Sequence, residues 1–333
     1  MDRQSGADDR VLWVDAARGI GILLVVAGHV ERGLVSAAVA AASHWAAIDL
    51  AIYSFHMALF MLLAGFNVQH SLRRGRGSFL LSKLRSVYHP YVFWSAIQGG
   101  LLLFVAGAAN SGASWSDIVQ IPWRPIMQFW FLYVLMAYLL AVALVGTRAA
   151  LLVPLAAAAL IANLGLESLS LLNRLLFYFP FFVGGVLLGP WLTMGARIAT
   201  GRVSLGVAIL TGLGWVAALI MLMPRDPLAH LGAAALPCAV LGSAAILGFA
   251  QAFPGTIARL LAWIGQRSLS IFVMHILASA AVRIALMKVA PGAPELVYFA
   301  LCLGAGVALP CLALWLAQRL GIAAWLGLER SSR

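Results

Sequence analysis

Residues Trp13 to His29 read WVDAARGIGILLVVAGH, and the rest of the chain is organised around them. Ten residues separate Arg18 from His29, and most are strongly apolar. Such a run reads as a membrane helix. Eleven helical steps of ~100° bring His29 back to within ~20° of Arg18, and a rise of ~1.5 Å per residue sets the two ~16 Å apart on one stripe. Asp15, three residues before Arg18, falls near the same stripe. One face therefore carries a carboxylate, a guanidinium and an imidazole at increasing depth. An Asp or Arg within a span costs ~2.5–3.5 kcal/mol on insertion scales, so these groups normally face a protein interior or a wet cavity. Two readings stand side by side. In the bland one, Asp15 and Arg18 anchor the helix at the interface and His29 is merely polar. In the other, the stripe is a site.

Composition sets the class. The chain has 333 residues, of which 63% are hydrophobic and 10% charged. Soluble domains average ~25% charged residues. With a mean hydropathy of +0.98, the fold class is an all-α polytopic membrane protein. The net charge of +11 does not point to nucleic acid, because most Lys and Arg residues sit in short segments between apolar runs. Cys238, Cys302 and Cys311 all lie in apolar runs and read as small buried hydrophobes. No His-rich or acidic cluster has metal-ligand spacing. Gly19–Gly28 is short enough for a signal-peptide core, with Ala38–Ala40 as a cleavage-like site. The acids Asp2, Asp8, Asp9 and Asp15 before it, and the spans after it, argue against cleavage.

About ten spans are expected, near residues 11–34, 49–68, 88–108, 129 onward, 150–165, 174–192, 203–223, 231–250, 268–288 and 296–319. Residues 1–10 are read as a cytoplasmic, disordered N-terminal tail, 11–320 as the integral-membrane domain and 321–333 as a C-terminal tail. Between the second and third spans, residues 73–85 carry five basic residues and no acid. With both termini cytoplasmic, inner segments hold fifteen basic residues and outer segments six, which supports that orientation. Gly185 and Gly189, four apart, suit close helix packing. Pro237 and Pro310 are expected to kink their helices. No sequence repeat is evident.

The residues now in hand resemble the acyltransferase-3 family of integral-membrane O-acyltransferases, and are most similar to its fucose 4-O-acetylase-like subgroup. The opening helix, with Arg18 and His29 ten residues apart, is similar to that family's first motif. YSFHMALFMLLAGF over 53–66 resembles its second-helix pattern. FWFLY over 129–133, PFFVGG over 180–185 and SLSIFVMH over 268–275 follow in family order. The resemblance implies transfer of an acyl group, usually acetyl, from cytosolic acetyl-CoA to a sugar or glycan hydroxyl. It assigns His29 to catalysis and Arg18 to the same site. It also implies a basic motif between the second and third spans, often two arginines three apart. Arg73 and Arg76 have that spacing, whereas Lys83 and Arg85 lie better placed before Pro90-Tyr91.

Residue chemistry runs parallel to this. A sugar hydroxyl is a poor nucleophile, and an imidazole of pKa ~6.5 is a natural base for it. His29, with Arg18 and Asp15, is the catalytic candidate. A thioester carbonyl needs donors for its developing oxyanion, for which Asn67, Ser54 and Tyr53 are candidates. Cations for donor phosphates are Lys83, Arg85, Arg73 and Arg76, with Arg18 nearby. His56 has either a second site role or a helix–helix hydrogen bond. His275 has either donor-cavity contact or a structural bond. Trp130 is an acceptor-side candidate that also fits an aromatic belt.

The expected function is a membrane O-acetyltransferase acting on an envelope or secreted glycan in a bacterial inner membrane, with acetyl-CoA as cosubstrate and no bound cofactor. The expected partners are acetyl-CoA, the glycan acceptor and the bilayer, with a homo-oligomer left open. The competing class is a transporter of a lipid-linked sugar or small solute. Paired Gly/Pro-interrupted spans in two halves would favour transport, and none is evident.

Overall fold

In the computed structural model, residues 5–109, 115–164, 166, 170–195, 201–222, 231–232 and 234–328 are described. They form fifteen α-helices and no strand. These are α1 (Ser5–Ser36), α2 (Ala42–Tyr53), α3 (His56–Gly65), α4 (Val68–Leu72), α5 (Arg76–Lys83), α6 (His89–Ala109), α7 (Trp115–Val119) and α8 (Trp130–Val145). They continue with α9 (Ala149–Asn163), α10 (Leu171–Gly195), α11 (Gly201–Leu222), α12 (Ala235–Ala252), α13 (Gly255–Gly265), α14 (Ser268–Val289) and α15 (Glu295–Arg319). An all-helical architecture is what lipid requires, because each backbone N–H must find a carbonyl within its own segment.

Eight stretches among the described residues are long and apolar enough to cross a membrane: 12–36, 42–72, 127–145, 171–192, 201–222, 235–252, 268–289 and 295–319. The expected third and fifth spans coincide with α6 and α9, and α9 has only fifteen residues. At ~1.5 Å per residue it falls short of a ~30 Å hydrocarbon core.

The expected second span is broken. α2 ends at Tyr53 and α3 begins at His56, with Phe55 out of helical geometry at φ −146°. The side chains of the break bind its own backbone. Ser54 Oγ donates to the Ala51 carbonyl at 2.8 Å, and His56 Nδ1 lies 2.7 Å from the Ile52 carbonyl. Between α5 and α6 a π-helical turn covers Leu84–Tyr88. Such turns are rare and recur at functional sites.

α1 is the central helix and packs against α2, α3, α12, α13, α14 and α15. Lipid tails are as apolar as leucine, so helix association in a bilayer rests on close fit rather than on escape from water. Glycine provides that fit here. A Cβ on Gly185 of α10 would overlap the Leu62 carbonyl, and one on Gly189 would stand 2.9 Å from Phe66 Cα. A Cβ on Gly265 of α13 would overlap the Asp15 carbonyl of α1. The spacing of Gly185 and Gly189 announced the first contact. α13, an amphipathic eleven-residue helix, was not anticipated.

Three expectations concern the chain ends and the prolines. α1 starts at Ser5, inside the stretch read as a disordered tail; residues 1–4 lie outside the described ones. Pro237 falls in the first turn of α12, where no intrahelical bond is lost, so it does not kink that helix. Pro310 does lie inside its helix, as do Pro154 and Pro180. The segment after α15 packs back on the fold: Trp94 Nε1 donates to the Leu326 carbonyl at 2.9 Å, and Leu328 is buried. Residues 329–333 lie outside the described ones.

Candidate active site

Two cavities flank the Arg18–His29 stripe. The larger, of about 800 Å³, is lined by His29, Glu31, Arg32, Asp49, Tyr53, His56, Gln128, Trp130, Arg174 and Tyr178, among others. The smaller, of about 190 Å³, is lined by Arg18, Ile22, Leu63, Ser86, Val87, Phe131 and Ser268 with their neighbours. Val25, Met57 and Phe272 line both. Positions 18, 22, 25 and 29 are one helical face, so α1 presents a single stripe to both cavities.

At the smaller cavity, Arg18 Nη1 donates to Asp15 Oδ1 at 2.9 Å, and Gln266 Nε2 donates to Asp15 Oδ2 at 3.2 Å. Asp15 is buried, and the pair leaves Arg18 partly open on the cavity wall. Lys83 lines neither cavity, but of the basic residues in the 73–85 segment it is the one close enough to Arg18 to feel its charge. Its ammonium is held below the usual lysine range by burial and then by the nearby Arg18 charge. Arg73, Arg76 and Arg85 are exposed and line neither cavity. The π-helical turn supplies Ser86 and Val87 to the wall.

At the larger cavity the geometry of His29 decides its chemistry. Its Nδ1 lies 2.9 Å from the Val25 carbonyl. A carbonyl only accepts, so Nδ1 carries the proton and Nε2 keeps its lone pair in the neutral ring. The same arrangement recurs at His56, through Ile52, and at His275, through the Ile271 and Phe272 carbonyls at 3.0 and 2.8 Å. His275 lines neither cavity. It is fully buried, with its ring centre 4.9 Å from that of His29. It therefore stands beside His29 rather than among the cations. Tyr53 meets His56 edge-on at 4.7 Å and lies beneath the Arg32 guanidinium, whose carbon is 3.3 Å from the ring centre.

Other candidates separate. Trp130 lines the larger cavity, stacked on Tyr178 at 5.6 Å. Ser54 lines neither cavity and is spent on structure, because its hydroxyl also accepts from Trp215 Nε1 at 3.0 Å. Asn67 is exposed at the far end of α3 and lines neither cavity. Several groups of the site were not anticipated. Arg32 makes a two-pronged pair with Asp49 at 2.5 and 3.0 Å. Glu31 is buried beside them. Gln128 donates to Gln98, which donates to the Val273 carbonyl. Met127, on the cavity wall, holds φ at +45°, a strained conformation for a residue with a Cβ. Arg32, three residues past His29, continues the α1 stripe, and a longer reading of that helix would have found it. Among the described residues, no group of three or more His, Cys, Asp or Glu side chains is placed to hold a metal ion.

The chain is thus an all-helical, multi-pass protein with His29 on the wall of the larger of two cavities that share lining residues. The model of one family, the acyltransferase domain, matches residues 11–315, and the chain belongs to that acyltransferase-3 family. No curated protein and no solved structure matches the chain.

Proposed function

We propose that this acyltransferase moves an acetyl group from cytosolic acetyl-CoA to the hydroxyl of a sugar in an envelope or secreted glycan, across a bacterial inner membrane, with His29 as general base. The observation that carries the reading is the position of His29. It lies one turn beyond Val25, where the two cavities adjoin, and its Nδ1 is committed to a carbonyl. The Arg18 end, with Lys83 close by, suits the anionic donor. The basic bias of the sequence puts that end, and both termini, in the cytosol. The larger cavity takes the acceptor.

In this reading the thioester reaches the junction through the smaller cavity. His29 Nε2 takes the proton of the acceptor hydroxyl as its oxygen attacks the carbonyl carbon. The C–S bond breaks, the ester forms, and the imidazolium returns the proton to the departing thiolate. Tyr53 is the hydroxyl donor we assign to the developing oxyanion. His56 is not suited to that task, because with Nδ1 held by a carbonyl its Nε2 is an acceptor; it suits a second acceptor hydroxyl.

The test is acetyl transfer to glycan by His29→Ala and His29→Gln proteins. Loss of a general base costs ~10²–10⁴-fold in rate. Both variants should lose that much while remaining inserted and able to bind acetyl-CoA. Labelled acetyl trapped on the enzyme without acceptor would replace direct transfer by an acetyl-histidine intermediate. Wild-type transfer by a well-expressed His29→Ala protein would end the reading and revive the transporter alternative.

A further inference from the structure

The larger cavity holds two guanidiniums in unlike states. Arg32 is committed: Nε and Nη2 donate to the two carboxylate oxygens of Asp49, and the Glu31 carboxyl stands 3.7 Å from its Nε. Arg174, on α10, has no carboxylate partner and no hydrogen-bond acceptor for its guanidinium among the described residues. It lies half-buried on the cavity wall with its guanidinium carbon 4.5 Å from the Trp130 ring centre.

A ring face attracts a cation but does not neutralise it. The two guanidiniums are close enough to repel each other. Among the described lining residues the two acids, Glu31 and Asp49, are turned to Arg32, so neither serves as counter-charge to Arg174. Partly buried arginines normally pair with an anion, and the planar fork matches a carboxylate or phosphate through two parallel bonds. A ligand anion here would relieve the repulsion between Arg32 and Arg174.

We propose that Arg174 binds an anionic group, phosphate or carboxylate, of the acceptor, so that the natural acceptor is an acidic or phosphate-linked sugar rather than a neutral one. This rests on the larger cavity being the acceptor side. Arg174 is then a specificity residue, holding the charged end of the acceptor while a sugar hydroxyl meets His29.

The experiment is equilibrium binding of three probes to the purified full-length protein in lipid nanodiscs, without acetyl-CoA. Octyl glucoside is neutral, octyl glucuronide carries a carboxylate and octyl glucosyl phosphate carries a phosphodiester. The wild type should bind at least one anionic probe roughly 10- to 100-fold more tightly than the neutral one, the span of a hydrogen bond to a charged group. Which anion wins separates a uronic acid from a lipid phosphate. The preference should vanish in Arg174→Gln. Should that variant not fold, Arg174→Lys, which keeps charge but loses the fork, must weaken the anionic probe severalfold and leave the neutral one unchanged. Equal binding of all three probes, no binding of either anionic probe, or a preference that survives in Arg174→Gln overturns the proposal. Binding is read apart from transfer, so a wild type that prefers the anion yet transfers no acetyl group fails only the acetyltransferase reading.

Discussion

The ring centres of His29 and His275 lie 4.9 Å apart with the planes at 69°, although 246 positions separate them. Each imidazole is held by its Nδ1 to a carbonyl of its own helix. His275 Nε2 is buried with no hydrogen-bond partner among the described residues. A buried acceptor without a donor costs ~1–3 kcal/mol. The neighbouring base gains a proton during the reaction we propose, and a lone pair close by would stabilise that charge.

His275→Ala should therefore lower kcat by roughly 10-fold, less than the ~10²–10⁴-fold of the base itself, with KM for acetyl-CoA little changed. His275→Asn separates charge stabilisation from packing. Its amide can still donate to the Ile271 or Phe272 carbonyl, but it lacks the Nε2 lone pair. Recovery of kcat in His275→Asn would reduce His275 to a packing residue.

Lys83 should carry more of the donor affinity than the exposed arginines of its segment. Lys83→Met is expected to weaken acetyl-CoA binding about 10-fold, the scale of one charge-assisted bond. Arg73→Gln and Arg76→Gln, solvent-exposed and screened by salt, should change it little. The protonated ammonium is the form that binds phosphate. Its pKa is depressed from 10.5 by burial and by Arg18, so affinity should fall at a lower pH than an ordinary lysine would give. Isothermal titration across alkaline pH checks this, and the limb should be missing in Lys83→Met.

Gly185→Ala should destabilise the α3–α10 contact, because the added methyl overlaps the Leu62 carbonyl. Overpacking of this kind costs ~1–3 kcal/mol. Gly184→Ala is the control, since its methyl would only touch Leu62 Cδ1 at 3.5 Å. Thermal unfolding of the two proteins in detergent should show a clear loss for the first and little for the second. Equal melting would refute the tight contact.

Reporter fusions placed near residue 75 and after residue 320 should both report the cytoplasm. The fifteen-to-six basic bias motivates the expectation. A periplasmic signal at either position would invert the donor and acceptor sides.

Much of this protein was legible in one dimension because its constraints are one-dimensional. A helix in lipid satisfies its own backbone, so length and hydropathy alone announce the spans. Helical periodicity alone places Arg18 and His29 on one stripe, and the i, i+3 spacing pairs Asp15 with Arg18. The glycine interval at 185 and 189 declares a close contact, though not its partner. What the tertiary structure alone decided is which groups converge on that stripe. His275 meets His29, Gln266 meets Asp15, Lys83 approaches Arg18, and Arg174 comes to the cavity with no ion-pair partner among the described residues. Ser54 and Asn67 carried the right functional groups and were left out. Hydrophobic spans resemble one another, so hydropathy does not say which faces which. That choice is made by the fit of side chains between helices far apart in the chain, where Gly265 admits the backbone of α1 and Gly185 admits that of α3.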